Sequence, residues 1–155
     1  MKRLLLTGAS GNLGRMLAKR LTQAGYWLRL SDIAPFPDAM PENAEFIQAD
    51  LMDAGAITDL VRGMDAILHF GGISVEQPYD AVAKANLLGV THVFEAARAE
   101  KQRVIFASSN HTIGFYPRDK ALGADESYRP DGYYGLSKAY GELLGRMMFD
   151  KHGIE

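Results

Sequence analysis

The stretch Leu4-Leu5-Leu6-Thr7-Gly8-Ala9-Ser10-Gly11-Asn12-Leu13-Gly14 decides the fold, because a short apolar run passes directly into three regularly spaced glycines. The leucines predict a buried strand, and apolar residues from Leu13 to Ala24 recur at helical spacing before Gly25. Small residues between a strand and a helix let the backbone turn tightly and present free N–H groups to a pyrophosphate. The stretch therefore predicts the first unit of a dinucleotide-binding sheet, although a plain tight turn would use the same glycines.

Short apolar runs continue to alternate with longer amphipathic stretches along the chain. The runs predict further strands at 28–30, 46–47, 66–68 and 104–107, and the amphipathic stretches predict helices after Asp53, over about 80–99 and over about 132–152. Prolines mark 34–43 and the polar stretch before the last helix as loops. This alternation predicts an α/β fold, with a doubly wound parallel sheet of the Rossmann type, strand order 3-2-1-4-5 and helices on both faces.

We expect residues 1–155 to form one NAD-binding domain that is incomplete. Ile154-Glu155 resembles the beginning of a sixth strand, and sheets of this type usually have more strands, followed by a substrate-binding part. The later strands and that part would then be missing, and the fifth strand would keep an open apolar edge.

Composition and charge narrow the classes of partner. The formal net charge is −2 and no basic block stands out, which argues against nucleic-acid and anionic-membrane surfaces. The first apolar run is too short for a signal peptide or a membrane span. Without cysteine there is no disulfide framework or thiolate metal site, and no histidine–carboxylate cluster has metal-site spacing. We expect a cytoplasmic protein without a metal.

Polar or small residues follow each predicted strand and define a cofactor edge. Asp32, 18 residues after Gly14, can accept hydrogen bonds from ribose hydroxyls and repel a 2′-phosphate, which favours NAD over NADP. The simpler alternatives are a solvated aspartate at 32, a helix-capping aspartate at 50 and an ordinary turn at 71–72. The predicted NAD contacts at this edge are Gly8, Gly11, Asn12, Leu13, Gly14, Asp32, Ile33, Asp50, Leu51, Phe70, Gly71 and Gly72.

Tyr134 and Lys138 lie four residues apart, so on a helix they share one face. An ammonium beside a phenol favours the phenolate, which can take a proton from a hydroxyl. Ser109 lies at the end of the fifth apolar run and would join them from a strand end. Tyr133 is a poorer candidate because Ser137 occupies its i+4 position. The alternative is an amphipathic helix residue at 134 and a solvated lysine at 138.

The chain resembles the extended short-chain dehydrogenases/reductases, which include nucleotide-sugar epimerases and dehydratases. It is more closely similar to the uronate dehydrogenase family, over essentially its whole length. The segments that carry this similarity are Phe70-Gly-Gly-Ile-Ser-Val-Glu76, Ala107-Ser-Ser-Asn-His-Thr-Ile-Gly114 with Phe115-Tyr-Pro117, and Tyr134-Gly-Leu-Ser-Lys138. The resemblance implies oxidation of glucuronate or galacturonate at C1 with NAD, giving an aldarolactone.

The resemblance also implies roles for single residues. Tyr134 would be the base, Lys138 would hold the nicotinamide ribose, and Ser109, rather than Ser108, would orient the substrate hydroxyl. The implied substrate contacts are Ser74, Ser109, Asn110, His111 and Tyr134. Asn86, on the apolar face of its helix, would support the hydrogen-bond network of the site or tie down a carbonyl in the core.

The histidines have simpler alternatives. His111 fits an ordinary polar loop residue as well as a substrate contact. His69 lies inside an apolar run and is expected to be a core residue, whereas His92 and His152 are expected at the surface. Many relatives pair their two long helices across subunits, so the resemblance also implies a homodimer.

Two rival functions share the cofactor motif. A nucleotide-sugar 4-epimerase has the same glycine loop and Tyr/Lys pair, and an NAD-binding protein without catalysis needs only the loop. Dehydratases usually have threonine, aspartate and glutamate where Ser109-Asn110-His111 stands. The family's arginine for the uronate carboxylate belongs to sequence beyond Glu155, so we expect little turnover from these 155 residues alone.

Overall fold

The computed structural model describes all 155 residues and contains a single parallel sheet. Its strands are β1 (Arg3–Thr7), β2 (Trp27–Asp32), β3 (Ala44–Gln48), β4 (Ala66–His69) and β5 (Arg103–Phe106). They are ordered β3-β2-β1-β4-β5, and every pairing is parallel. The predicted strand order 3-2-1-4-5 is confirmed.

The helices are α1 (Asn12–Gln23), α2 (Ala54–Val61), α3 (Tyr79–Val82), α4 (Gly89–Glu100) and α5 (Tyr133–His152). A π-helical segment, Ala83–Leu88, joins α3 to α4, where the sequence predicted one regular helix. A short 3₁₀ helix, Asn110–Ile113, lies in the predicted loop before α5. None of the helices has the length and apolarity needed to cross a membrane.

The three leucines of β1 place the core on both faces of the sheet. Leu5 packs with Ile57 of α2 and Val93 of α4 on one face. Leu4 and Leu6 point to the opposite face, where they pack with α1. Successive strand residues alternate between faces, so an uninterrupted apolar run is the pattern of a strand that is covered on both sides. Each such leucine contributes about 1.5–3 kcal/mol by leaving water.

A third apolar cluster lies where α4 and α5 cover β5. It consists of Val90, Phe94, Leu144, Met148 and Ile154. β5 is an edge strand, as predicted, and Ile105 on it is half exposed. Its edge is not fully open, because the Val104 N–H donates to the Glu155 carbonyl oxygen at 2.7 Å.

All five strands run in the same direction, so their carboxyl ends meet at one edge. The glycine loop follows β1, Asp32 ends β2, Asp50 follows β3, Gly71 follows β4 and Ser108 follows β5. The chain reverses its winding between β1 and β4, and ligands of open α/β sheets bind at such a switch point.

Candidate active site

A cleft of about 590 Å³ crosses the carboxyl ends of the strands. Every residue predicted to contact NAD lines it, and so do Ser74 and Tyr134. From the segment after β5, Ala107 and Ser108 line the cleft, whereas Ser109, Asn110 and His111 lie outside its lining. The structure thus brings the predicted cofactor edge and the Tyr134/Lys138 pair into one space.

The glycine loop presents an open helix N-terminus to this cleft. Gly8 has φ +72°, a backbone conformation that side chains disfavour, and a β-carbon at Gly14 would collide with the Gly8 carbonyl oxygen. The backbone N–H groups of residues 12–14 begin α1 and make no hydrogen bond within the chain. Such N–H groups, together with the positive end of the helix dipole, bind anions.

Asp32 holds the glycine loop against the end of β2. Its carboxylate accepts hydrogen bonds from the Ser10 N–H and the Ala34 N–H, each at 3.0 Å. These two bonds fix the carboxylate at the rim of the cleft and leave lone pairs for further donors. Asp32 is therefore not a freely solvated loop aspartate, which was the simpler alternative at this position.

The turn after β3 is organised by two aspartates with different tasks. Asp50 accepts from the Met52 N–H at 2.9 Å, and Asp53 caps α2 by accepting from the Ala56 N–H at 2.9 Å. Asp50 is therefore not the helix cap. The Leu51 carbonyl oxygen lies 2.8 Å from Nδ1 of His92, which is half-buried. The surface position predicted for His92 is wrong, because its ring ties α4 to this turn.

His69 supports the strand ends from within the core. Its Nδ1 lies 2.7 Å from the Thr7 hydroxyl oxygen, which also accepts from the Gly71 N–H at 3.2 Å. Burial, and secondarily the charge of Lys138, lowers the pKa of His69 from 6.5 to about 3. The ring is therefore neutral at neutral pH, and His69 is a satisfied core residue, as predicted.

Tyr134 and Lys138 lie one turn apart at the start of α5. Lys138 is 7% exposed, and its Nζ donates to the Ala107 carbonyl oxygen at 2.9 Å. The same nitrogen lies 5.7 Å from the centre of the Tyr134 ring. Burial lowers the pKa of Lys138 from 10.5 to about 8. Tyr133 lies outside the cleft lining, is half exposed and packs against the Tyr79 ring.

The segment after β5 brings His111 to Tyr134. The two ring centroids are 5.5 Å apart in an edge-to-face arrangement. Nδ1 of His111 lies 2.9 Å from an Asp131 carboxylate oxygen, and the His111 N–H donates to the Ser109 hydroxyl oxygen at 3.2 Å. The Ser108 hydroxyl instead donates to Glu142 on α5.

Asn86, in the π-helical segment, links two elements of the site. Its side-chain oxygen accepts from the Ile73 N–H at 2.8 Å, and its nitrogen donates to the Ile73 carbonyl oxygen at 2.9 Å. The same nitrogen donates to the Ser137 hydroxyl oxygen at 3.0 Å. Asn86 therefore ties down the loop after β4, which is the core role considered for it, and also connects this loop to α5, whereas its support of an active-site network stays a prediction.

Sequence reasoning did not single out three carboxylates near the site, which are Glu76, Asp131 and Glu142. Asp131 lies just before the last helix, and Glu76 follows Ser74 by two positions at the end of the segment Phe70–Glu76. No group of three or more histidine, aspartate or glutamate side chains is placed to hold a metal ion.

The fold and this cleft define a class of protein. Residues 4–155 match the NAD dependent epimerase/dehydratase family, and the chain belongs to that family.

Within it, the chain is 52% identical over 154 residues to uronate dehydrogenase of Pseudomonas syringae, and 53% identical over 156 residues to that of Agrobacterium fabrum. These alignments cover 99% and 100% of this chain, and 56% and 58% of the relatives. A mutant uronate dehydrogenase from Agrobacterium tumefaciens, solved in complex with NAD, superposes with a TM-score of 0.93 at 51% identity, covering 99% of this chain and 58% of that one. The chain thus spans a little over half the length of these relatives.

Proposed function

We propose that the protein containing residues 1–155 is an NAD-dependent uronate dehydrogenase, and that these residues form its NAD-binding domain. It would oxidise the C1 hydroxyl of glucuronate or galacturonate and release an aldarolactone. The observation that carries the proposal is that Tyr134 and Lys138 line the same cleft as the glycine loop and Asp32. The choice of a uronate is supported by the identity of 52–53% to uronate dehydrogenases.

The residues of the cleft fit NAD. The free N–H groups of residues 12–14 would hold the pyrophosphate, and Asp32 would accept from the adenosine ribose hydroxyls. Asp50 and Leu51 would border the adenine, while Phe70, Gly71 and Gly72 leave room across the strand ends. When bound, NAD would supply the acceptor for the hydride that leaves C1.

Tyr134 would take the proton of the C1 hydroxyl on its phenolate oxygen. Lys138, held at the Ala107 carbonyl, brings a positive charge to the base of the cleft, which favours that phenolate. The lysine would also donate to the nicotinamide ribose. General-base help of this kind is worth typically about 10²–10⁴-fold in rate.

The remaining contacts would orient the sugar. Ser109 would bind the reacting hydroxyl, and Ser74, Asn110 and His111 would bind other hydroxyls or the carboxylate. Ser74 lines the cleft, and the His111 ring packs beside Tyr134, which supports their assignment to one substrate pocket. Ser108 also lines the cleft, but its hydroxyl is engaged by Glu142.

The test is to follow NADH absorbance with the intact gene product and three candidate substrates. Formation of NADH with glucuronate or galacturonate supports the dehydrogenase. Conversion of a UDP-sugar without net NADH would replace it with a 4-epimerase. Binding of NAD without turnover of any of the three substrates would replace it with a non-catalytic NAD-binding protein.

We further propose a homodimer that pairs α4 and α5 with their copies. Three large apolar residues of α5 share one face and are about half exposed, namely Leu136, Leu143 and Met147. An exposed apolar stripe of this kind is typical of an interaction surface. Because NAD is a cofactor of the cell interior, we also propose a cytoplasmic location.

A further inference from the structure

The carboxylate of Glu76 joins the loop after β4 to the N-terminus of α5. One carboxylate oxygen accepts from the Tyr133 N–H and the other from the Tyr134 N–H, each at 2.9 Å. These are first-turn N–H groups, which have no partner inside their own helix. A charged acceptor shortens and strengthens such hydrogen bonds, and two parallel bonds also fix orientation.

The start of α5 is built to receive this side chain. Its N-cap residue, Gly132, supplies no side-chain cap. A β-carbon at Gly132 would collide with the Glu76 carboxylate, so the glycine leaves the space that Glu76 fills. The helix that carries Tyr134 and Lys138 is thus capped by a residue 57 positions away rather than by its own sequence.

The same loop is held at its other end. Asn86 clamps both backbone groups of Ile73 and also reaches Ser137 on α5. Ser74, which lines the cleft, therefore lies between two fixed points, Ile73 and Glu76. Ile73 is linked to α5 through Asn86, and Glu76 is hydrogen-bonded to α5 directly. The loop and the helix are therefore positioned relative to each other and not only relative to the sheet.

We propose that Glu76 is a positioning residue for the reaction, which sets the distance between Tyr134 and the loop that carries Ser74. This inference rests on the proposed dehydrogenase function. Glu76 itself is exposed, so water can take the place of its carboxylate at these N–H groups and the helix can form without it. Its effect lies in geometry, since a displacement of about 1 Å between reacting groups costs roughly 100-fold in rate.

The test compares Glu76→Ala and Glu76→Gln in the intact gene product. We expect kcat per NADH-binding site to fall roughly 10- to 100-fold in Glu76→Ala and less in Glu76→Gln, whose amide oxygen still accepts one N–H. The Kd for NADH should stay within about twofold, because the glycine loop is untouched. The kinetic isotope effect with uronate deuterated at C1 should rise, since the chemical step becomes rate-limiting.

Glu42→Gln is the matched control and should turn over like the wild type, because Glu42 is exposed in the turn before β3 and lies outside the cleft lining. Counting the NADH-binding sites distinguishes a positioning role of Glu76 from a purely structural one. A structural role would reduce the number of folded sites and leave the isotope effect of the remaining sites unchanged. Wild-type kcat per site in both Glu76 variants would overturn the positioning role. Failure of the wild-type protein to oxidise any uronate would instead overturn the proposed function.

Discussion

The ammonium nitrogen of Lys138 donates a hydrogen bond to the carbonyl oxygen of Ala107, 2.9 Å away at the end of β5. The centre of the Phe106 ring lies 4.9 Å from the same nitrogen, and this ring also stacks on His69, with the two ring centroids 6.0 Å apart. One turn of α5 is thereby anchored to the sheet edge where the cleft opens. In this position the ammonium group has lost most of its hydration, and this loss lowers the pKa of Lys138.

Stability should depend on pH through Lys138. Burial lowers the pKa of Lys138 to about 8 in the folded chain, against 10.5 for the ordinary side chain. Between these values the unfolded chain binds the extra proton, so the free energy of unfolding rises with pH, by up to about 3 kcal/mol. Lys138→Met should remove this rise in urea unfolding compared at pH 7 and pH 10, whereas Lys151→Met on the exposed end of α5 should keep it. If the free energy of unfolding of Lys138→Met still rises with pH as in the wild type, Lys138 is not the source of the pH dependence.

The two adjacent tyrosines provide a matched pair of variants. Tyr134 lines the cleft, whereas Tyr133 lies outside its lining, about half exposed beside Tyr79. Tyr134→Phe should keep NAD binding and lose about 10²–10⁴-fold in kcat, because it removes the proposed base. Tyr133→Phe should turn over like the wild type. Steady-state rates with a uronate and titration with NADH measure both effects, and near-normal turnover in Tyr134→Phe would remove the residue from its role.

The sheet could be predicted from the sequence because its signals are local. Leu4–Leu6 are followed at once by the glycine loop, and a strand covered on both faces needs no other pattern. The cofactor edge follows from one rule, that the carboxyl ends of parallel strands meet. For that reason Asp32, Asp50 and Gly71, which are far apart in the chain, could be assigned together before any contact was known.

Other features depend on contacts that no local pattern encodes. Glu76 reaches the N–H of Tyr133 across 57 positions, and His111 meets Asp131 across 20. The π-helical segment was predicted as regular helix, because its residues are ordinary helix formers and its clamp, from Asn86 to Ile73 and Ser137, is tertiary. The roles of Ser109, Asn110 and His111 remain predictions from resemblance.

Asp32 should control the choice between NAD and NADP. Its carboxylate accepts from the Ser10 and Ala34 N–H groups and lines the cleft, where it would repel a 2′-phosphate. Asp32→Asn removes that charge, so the ratio of kcat/KM for NAD to that for NADP should fall about tenfold, equivalent to about 1.4 kcal/mol. Asp59→Asn, at an exposed ion pair with Arg62, is the control. Equal ratios in the wild type and Asp32→Asn would exclude Asp32 from the ribose site.

The proposed dimer can be tested with two methionines of almost equal exposure. Met147 on α5 is 43% exposed beside Leu143, and Met16 on α1 is 44% exposed on the opposite face of the sheet. Met147→Asp places a charge in an interface that would exclude water, so the dimer should dissociate at micromolar concentration. Met16→Asp should leave the dimer intact, with the same assembly mass as the wild type. Sedimentation equilibrium of the intact gene product measures both, and a Met147→Asp protein with the wild-type dimer mass would show that α5 does not form the interface.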